Sequence, residues 1–79
     1  MDKVGLTPVQ QEVYDFLRLY HKVYGVFPTV KELCSGKIDG EQIIKPRSST
    51  NGMHRILKGL EEREWIEIMP MRGRAIKLL

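Results

Sequence analysis

The sequence predicts a mainly α fold closed by a small two-stranded β-hairpin, and three observations carry that prediction. Two helix starts are written as capping boxes, Thr7-Pro8-Val9-Gln10 and Thr29-Val30-Lys31-Glu32. A third segment repeats apolar residues at i, i+3, i+4 and i+7, namely Met53, Ile56, Leu57 and Leu60. Finally, Trp65-Ile66-Glu67-Ile68-Met69 and Ala75-Ile76-Lys77-Leu78-Leu79 are strand-like runs flanking Pro70-Met71-Arg72-Gly73-Arg74, which supplies turn residues.

Helix one starts with Thr7 as N-cap, Pro8 where its missing N–H costs nothing, and Gln10 placed to close the box. From there Val9, Val13, Phe16, Leu17, Tyr20 and Tyr24 form one apolar stripe that stops at Gly25. Helix two is short: Val30, Leu33 and Cys34 give it an apolar face that ends at Gly36. Residues 37–48 contain Gly40, Pro46 and mixed charges with apolar Ile43 and Ile44, which reads as a connection including a brief extended piece. Helix three begins near Ser48 to Thr50 and ends around Arg63. The order helix, helix, helix, strand, strand is that of a winged helix-turn-helix module, three helices plus a C-terminal two-stranded wing.

Composition bounds the function classes. Seventy-nine residues suit one domain, residues 1–79, because a second core would bury too little surface to offset its ordering entropy. The hydrophobic share of 42% and charged share of 29% are those of a globular chain rather than a disordered tail. No apolar run approaches a membrane span, and MDKVGLTP lacks the apolar region of a secretory signal, so a cytoplasmic location without a membrane partner is the default expectation. Cys34 alone forms no internal disulfide, and with His21 and His54 it makes no zinc-ligand spacing, so neither metal nor cofactor is expected. Catalysis is not expected either: no nucleophile motif, paired carboxylates or phosphate-cradling loop is present, and Ser48 and Ser49 lack a recognisable base.

Charge is unevenly placed. Residues 1–44 carry five basic and six acidic side chains, whereas residues 45–79 carry eight basic and four acidic, so the net charge of +3 belongs to the C-terminal part. A basic half favours a polyanionic partner, since Lys and Arg neutralise phosphates and release counterions. Helix three has the division of labour of a recognition helix, with an apolar stripe on one side and Ser49, Thr50, Asn51, Gly52, His54, Arg55 and Lys58 left outside. Asn51 suits adenine N6 and N7, Arg55 suits guanine O6 and N7, and the hydroxyls suit bases or phosphates. Gly52 is costly inside a helix unless close approach requires it. Arg47 with Lys45 ahead of the helix, and Arg72 and Arg74 at the hairpin tip, are candidates for phosphate contact, against the plain alternative of solvated charges.

These residues resemble the N-terminal DNA-binding domain of the LexA repressor family. The resemblance runs through Leu6-Thr7, Gln10-Gln11-Glu12-Val13, Gly25, Pro28-Thr29, Glu32, Ser49, Asn51, Leu57-Lys58, Leu60, Ile66-Glu67-Ile68, Arg74, Ile76 and Leu78-Leu79. It implies major-groove reading by Ser49, Asn51, Gly52, His54 and Arg55, backbone contact by Arg72 and Arg74, and repression of transcription. The departures are informative. Gly52 stands where the family has a small residue such as Ala, and His54 and Arg55 replace two Glu, so acceptors become donors and the preferred sequence should differ. The link before helix three is longer, and Glu64 replaces the Gly that ends that helix. The chain stops where the family continues into a Ser/Lys protease and dimerisation domain, so self-cleavage is not implied.

The expected function is therefore sequence-specific binding of double-stranded DNA as a transcriptional regulator, with a homodimer or a second DNA-binding protein supplying further contacts. The rival is a winged-helix protein-interaction module that modulates a repressor or polymerase, compatible with the acidic cluster Glu61, Glu62 and Glu64. Trp65, Tyr14, Tyr20 and Tyr24 are expected to pack in or around the core rather than stack on bases, Cys34 to be buried, and His21 to lie on the surface.

Overall fold

The computed structural model describes residues 5–69 and 76–79 and has the arrangement of a winged helix-turn-helix: three helices followed by an antiparallel β-hairpin. Helix α1 spans Pro8–Tyr24, α2 Val30–Ser35 and α3 Thr50–Glu62. Strands β1 (Lys37–Ile38) and β2 (Glu41–Gln42) lie between α2 and α3, and β3 (Ile66–Ile68) and β4 (Ile76–Leu78) follow α3.

Both predicted capping boxes form. The Thr7 hydroxyl accepts from the Gln10 N–H at 3.2 Å while the Gln10 side chain accepts from the Thr7 N–H at 3.0 Å. At α2 the same exchange joins Thr29 and Glu32 at 3.2 and 2.8 Å. Each box satisfies helix N–H groups that have no partner within the helix, which is why these two ends are well defined by a few residues. Gly25 and Gly36 terminate α1 and α2 in the left-handed conformation, with φ of 75° and 68°.

The core is built from Val13, Phe16, Leu17 and Tyr20 of α1, Leu33 and Cys34 of α2, Ile38 of β1, Met53, Leu57 and Leu60 of α3, and Ile66 and Ile76 of the C-terminal hairpin. The three helices thus contribute faces that their periodicity selects. The C-terminal strands pair Ile66 with Leu78, Glu67 with Lys77 and Ile68 with Ile76, which turns Ile66 and Ile76 inward. The strands are shorter than the expected runs 65–69 and 75–79, of which Ala75 lies outside the described residues. Trp65 packs edge-on against Tyr14, ring centroids 5.1 Å apart, as a half-buried lid on the core rather than a base-stacking platform. His21 is exposed and stacks on Phe27 at 4.3 Å.

One expectation needs correction. The α1 stripe is narrower than read, since Val9 and Tyr24 are 39% and 45% exposed. The brief extended piece expected within residues 37–48 is a pair of two-residue strands, and Asp39 and Gly40, with φ of 52° and 78°, make the two-residue turn joining β1 and β2. The apolar anchor of this segment is Ile38, buried in the core, whereas Ile43 is exposed. Among the described residues, no helix is long and apolar enough to cross a membrane.

The end of α3 bears out the reading of Glu64. The Trp65 N–H bonds to the Leu60 carbonyl at 3.0 Å and the Glu64 N–H to the Glu61 carbonyl at 3.0 Å. This paired pattern requires a left-handed residue just past the helix, and Glu64 supplies it at φ 64°. The turn is one that a glycine would serve, and here it falls on a residue with a Cβ.

Candidate nucleic-acid interface

The position of α3 is set by the chain immediately before it. The Gly36 carbonyl accepts from both the Ile43 and Ile44 N–H groups, at 2.8 and 3.2 Å, and the Gln42 side-chain amide donates to the Ser35 and Ile44 carbonyls. The Arg47 N–H then bonds to the Cys34 carbonyl at 2.8 Å, and the buried Cys34 thiol points to the Ser49 carbonyl at 3.9 Å. At the tip of the β1–β2 hairpin, the Asp39 N–H donates to the Tyr24 hydroxyl at 2.6 Å. The hairpin is therefore fastened to α1 and to the end of α2, and it delivers Ser49 to the start of α3 as a fixed point.

A side chain at Gly36 is excluded on two counts. Its φ is positive, and a Cβ there would meet the Ile44 carbonyl oxygen and the Gln42 amide. That glycine is what lets the hairpin fold back onto α2.

Ser49 caps α3, its hydroxyl accepting from the Gly52 N–H at 3.4 Å. With glycine three residues on there is no reciprocal side chain, so this cap is single where the other two are double. Met53, Leu57 and Leu60 are buried, which fixes the rotation of the helix. Thr50, Asn51, His54, Arg55 and Lys58 are consequently exposed, and Gly52 is half-buried.

Asn51, Arg55, Lys58 and Glu62 follow one another at i, i+4, i+7 and i+11, the spacing of a single outward stripe. His54, Arg55, Lys58, Gly59 and Glu62 line a shallow open groove along it. Glu62 was not among the residues expected here; its spacing of four from Lys58 is the signal that places it. A carboxylate there makes the stripe polar and basic at its N-terminal end and acidic at its C-terminal end.

Other expected residues separate from this stripe. Arg47 is half-buried ahead of the helix, while Lys45 is exposed. Arg72 and Arg74 lie outside the described residues. Glu61 is drawn away from the acidic cluster, since its carboxylate accepts from the Ile68 N–H at 3.1 Å and so ties α3 to β3. A Cβ at Gly52 would meet nothing within 4 Å, so the fold itself does not require glycine at that position. Gly59 differs: a Cβ there would come within 2.6 Å of the Gln10 amide of α1. Among the described residues, no group of three or more His, Cys, Asp or Glu is arranged to hold a metal ion.

No protein-family model matches this chain, and no curated protein matches it. The comparison that the structure supports is therefore with the winged helix-turn-helix arrangement in general.

Proposed function

We propose that this chain binds double-stranded DNA sequence-specifically, inserting the exposed face of α3 in the major groove and acting by binding rather than catalysis. The observation that carries the reading is the stripe Asn51, Arg55 and Lys58 on a helix whose rotation is fixed by three buried residues and whose start is fixed by the Ser49 cap. Asn51 and Arg55 are about 6 Å apart along the helix axis, so they reach different base pairs. Asn51 reads adenine, Arg55 reads guanine, and Lys58 with Arg47 meets phosphates. His54, Ser49 and Thr50 flank these contacts, and Gly52 allows backbone approach. Arg72 and Arg74 extend the contact to the backbone on the wing side.

The resemblance to the LexA repressors supports a role in transcriptional regulation, most simply repression by occupying a promoter. Because donors stand at His54 and Arg55, the preferred site is richer in guanine at those positions than an acidic pair would select. The test is retention of a randomised double-stranded DNA pool by the purified chain at low and physiological salt, followed by sequencing. Enrichment of one motif at the higher salt is expected. Arg55→Ala should relax preference at one position, at a cost of about 1–3 kcal/mol there, while Lys58→Ala should weaken all sequences evenly and reduce the salt slope by about 1. Retention of no DNA at either salt would refute the reading for the isolated chain.

A further inference from the structure

The outward stripe of α3 ends on a carboxylate that local stability does not explain. The two glutamates of the last turn differ in what they do. The Glu61 carboxylate accepts from the Ile68 N–H at 3.1 Å and so belongs to the contact between α3 and β3. Glu62 is exposed and, with His54, Arg55, Lys58 and Gly59, lines the shallow groove on the outer face. It is the last residue of the helix, where the macrodipole disfavours an anion, and no basic residue shares its turn. Lys58 stands four residues before it, and lysine ahead of glutamate is the weaker order for a pair on one helix.

Distances along the helix say where that carboxylate goes on a duplex. Asn51 and Lys58 are about 10 Å apart along the axis, and Asn51 and Glu62 about 16 Å. The major groove is about 12 Å wide. With Asn51 and Arg55 at base edges and α3 entering by its N-terminus, Lys58 comes level with the phosphates of the groove rim. The helix rises away from the groove floor, so Glu62 lies past the rim and clear of the duplex. A helix laid flat, along the groove or over the backbone, brings Glu62 against phosphates instead. Flat placements are open to any sequence, because contact with the backbone alone drives them.

We propose, resting on the reading of α3 as the DNA-reading helix, that Glu62 is a positioning residue that sets specificity: its carboxylate repels phosphates when α3 lies flat and is clear of them when Asn51 and Arg55 reach bases. Arg55 and Lys58 attract any duplex, so by themselves they raise affinity for all sequences together. A negative charge at the far end of the same stripe subtracts from the flat placements and spares the reading one. The ratio of specific to non-specific binding widens without an added base contact. For unit charges about 5 Å apart in water-like surroundings, the repulsion lowers non-specific affinity about fourfold.

Binding to the motif enriched from the random pool and to unrelated duplex, at low and physiological salt, tests the assignment. Circular dichroism establishes that each variant is folded. Glu62→Gln should bind unrelated duplex about fourfold tighter and the motif less than about twofold tighter, with the gap closing as salt rises. Glu62→Asp, which keeps the charge, should discriminate as the wild type does. Glu12→Gln makes the same change in net charge on the exposed surface of α1 and should shift both duplexes equally. Equal tightening of motif and unrelated duplex by Glu62→Gln, as with Glu12→Gln, overturns the proposal and leaves α3 as the reading helix. So does a changed base preference at one position, which would make Glu62 a base-reading residue. A wild type that enriches no motif overturns the reading of α3 itself, and the role of Glu62 with it.

Discussion

Replacing Glu64 by glycine should make this protein more stable, and the size of the effect follows from one dihedral angle. Glu64 sits at φ 64° because the end of α3 closes through the Trp65 and Glu64 N–H bonds to Leu60 and Glu61. Holding an L-residue in this region costs roughly 1–2 kcal/mol through the clash of its Cβ with the following carbonyl. Glycine removes that cost but brings back about 0.5–1 kcal/mol of chain entropy lost on folding. Removal of a carboxylate from a helix C-terminus that has no basic residue in its last turn adds about 0.3 kcal/mol in favour. The balance is a gain of about 1 kcal/mol, which in a chain of this size raises Tm by roughly 4–8 °C. Thermal and urea unfolding of wild type, Glu64→Gly and Glu64→Gln separate the contributions, because glutamine removes the charge and keeps the Cβ. A gain with glutamine equal to that with glycine would show that charge and not conformation is the cost. No gain with glycine would refute the account of the helix end.

Other expectations follow from the same site. Gly52→Ala should stabilise the fold by about 0.5 kcal/mol, since a Cβ there meets open space in a helix; a destabilised variant in urea unfolding would show that the backbone needs glycine after all. The same variant should bind DNA no better than wild type. Ser49→Ala should cost about 1 kcal/mol, as no second side chain shares the cap, and unchanged urea stability would mean that the cap is idle. Glu61→Gln should cost about 1 kcal/mol and speed hydrogen exchange at the Ile68 amide, because the carboxylate is that amide's acceptor.

The parts of the fold legible in the sequence are those controlled by local chemistry. Thr7 with Gln10 and Thr29 with Glu32 carry their own acceptors and donors, so their helices begin where the residues say. The rotation of α3 is equally legible, because Met53, Leu57 and Leu60 are apolar and their neighbours are not. The β1–β2 hairpin is hard to see although Asp39-Gly40 is a strong turn signal, since the flanking strands are two residues each and show almost no alternation. Ile38 is hidden for the same reason: one apolar residue in a polar stretch has no period. Glu61 and Glu62 read alike in sequence but differ in the fold, as only a tertiary neighbour, the Ile68 N–H, distinguishes them.

The hairpin between α2 and α3 also bears on how the architecture tolerates change. Its two ends meet at Gly36, whose carbonyl holds Ile43 and Ile44. The chain therefore leaves and returns at nearly one point, and residues 37–42 form a closed excursion rather than a spacer. Lengthening such an excursion at the Asp39-Gly40 tip has a small entropic cost, about 0.6 kcal/mol for each doubling of a flexible loop, and leaves the Ser49 cap where it is. Shortening it is another matter, because the excursion also carries Ile38 into the core. Insertions at this tip should consequently be accepted where deletions are not, which makes it the natural place to attach a label or a second module without disturbing α3.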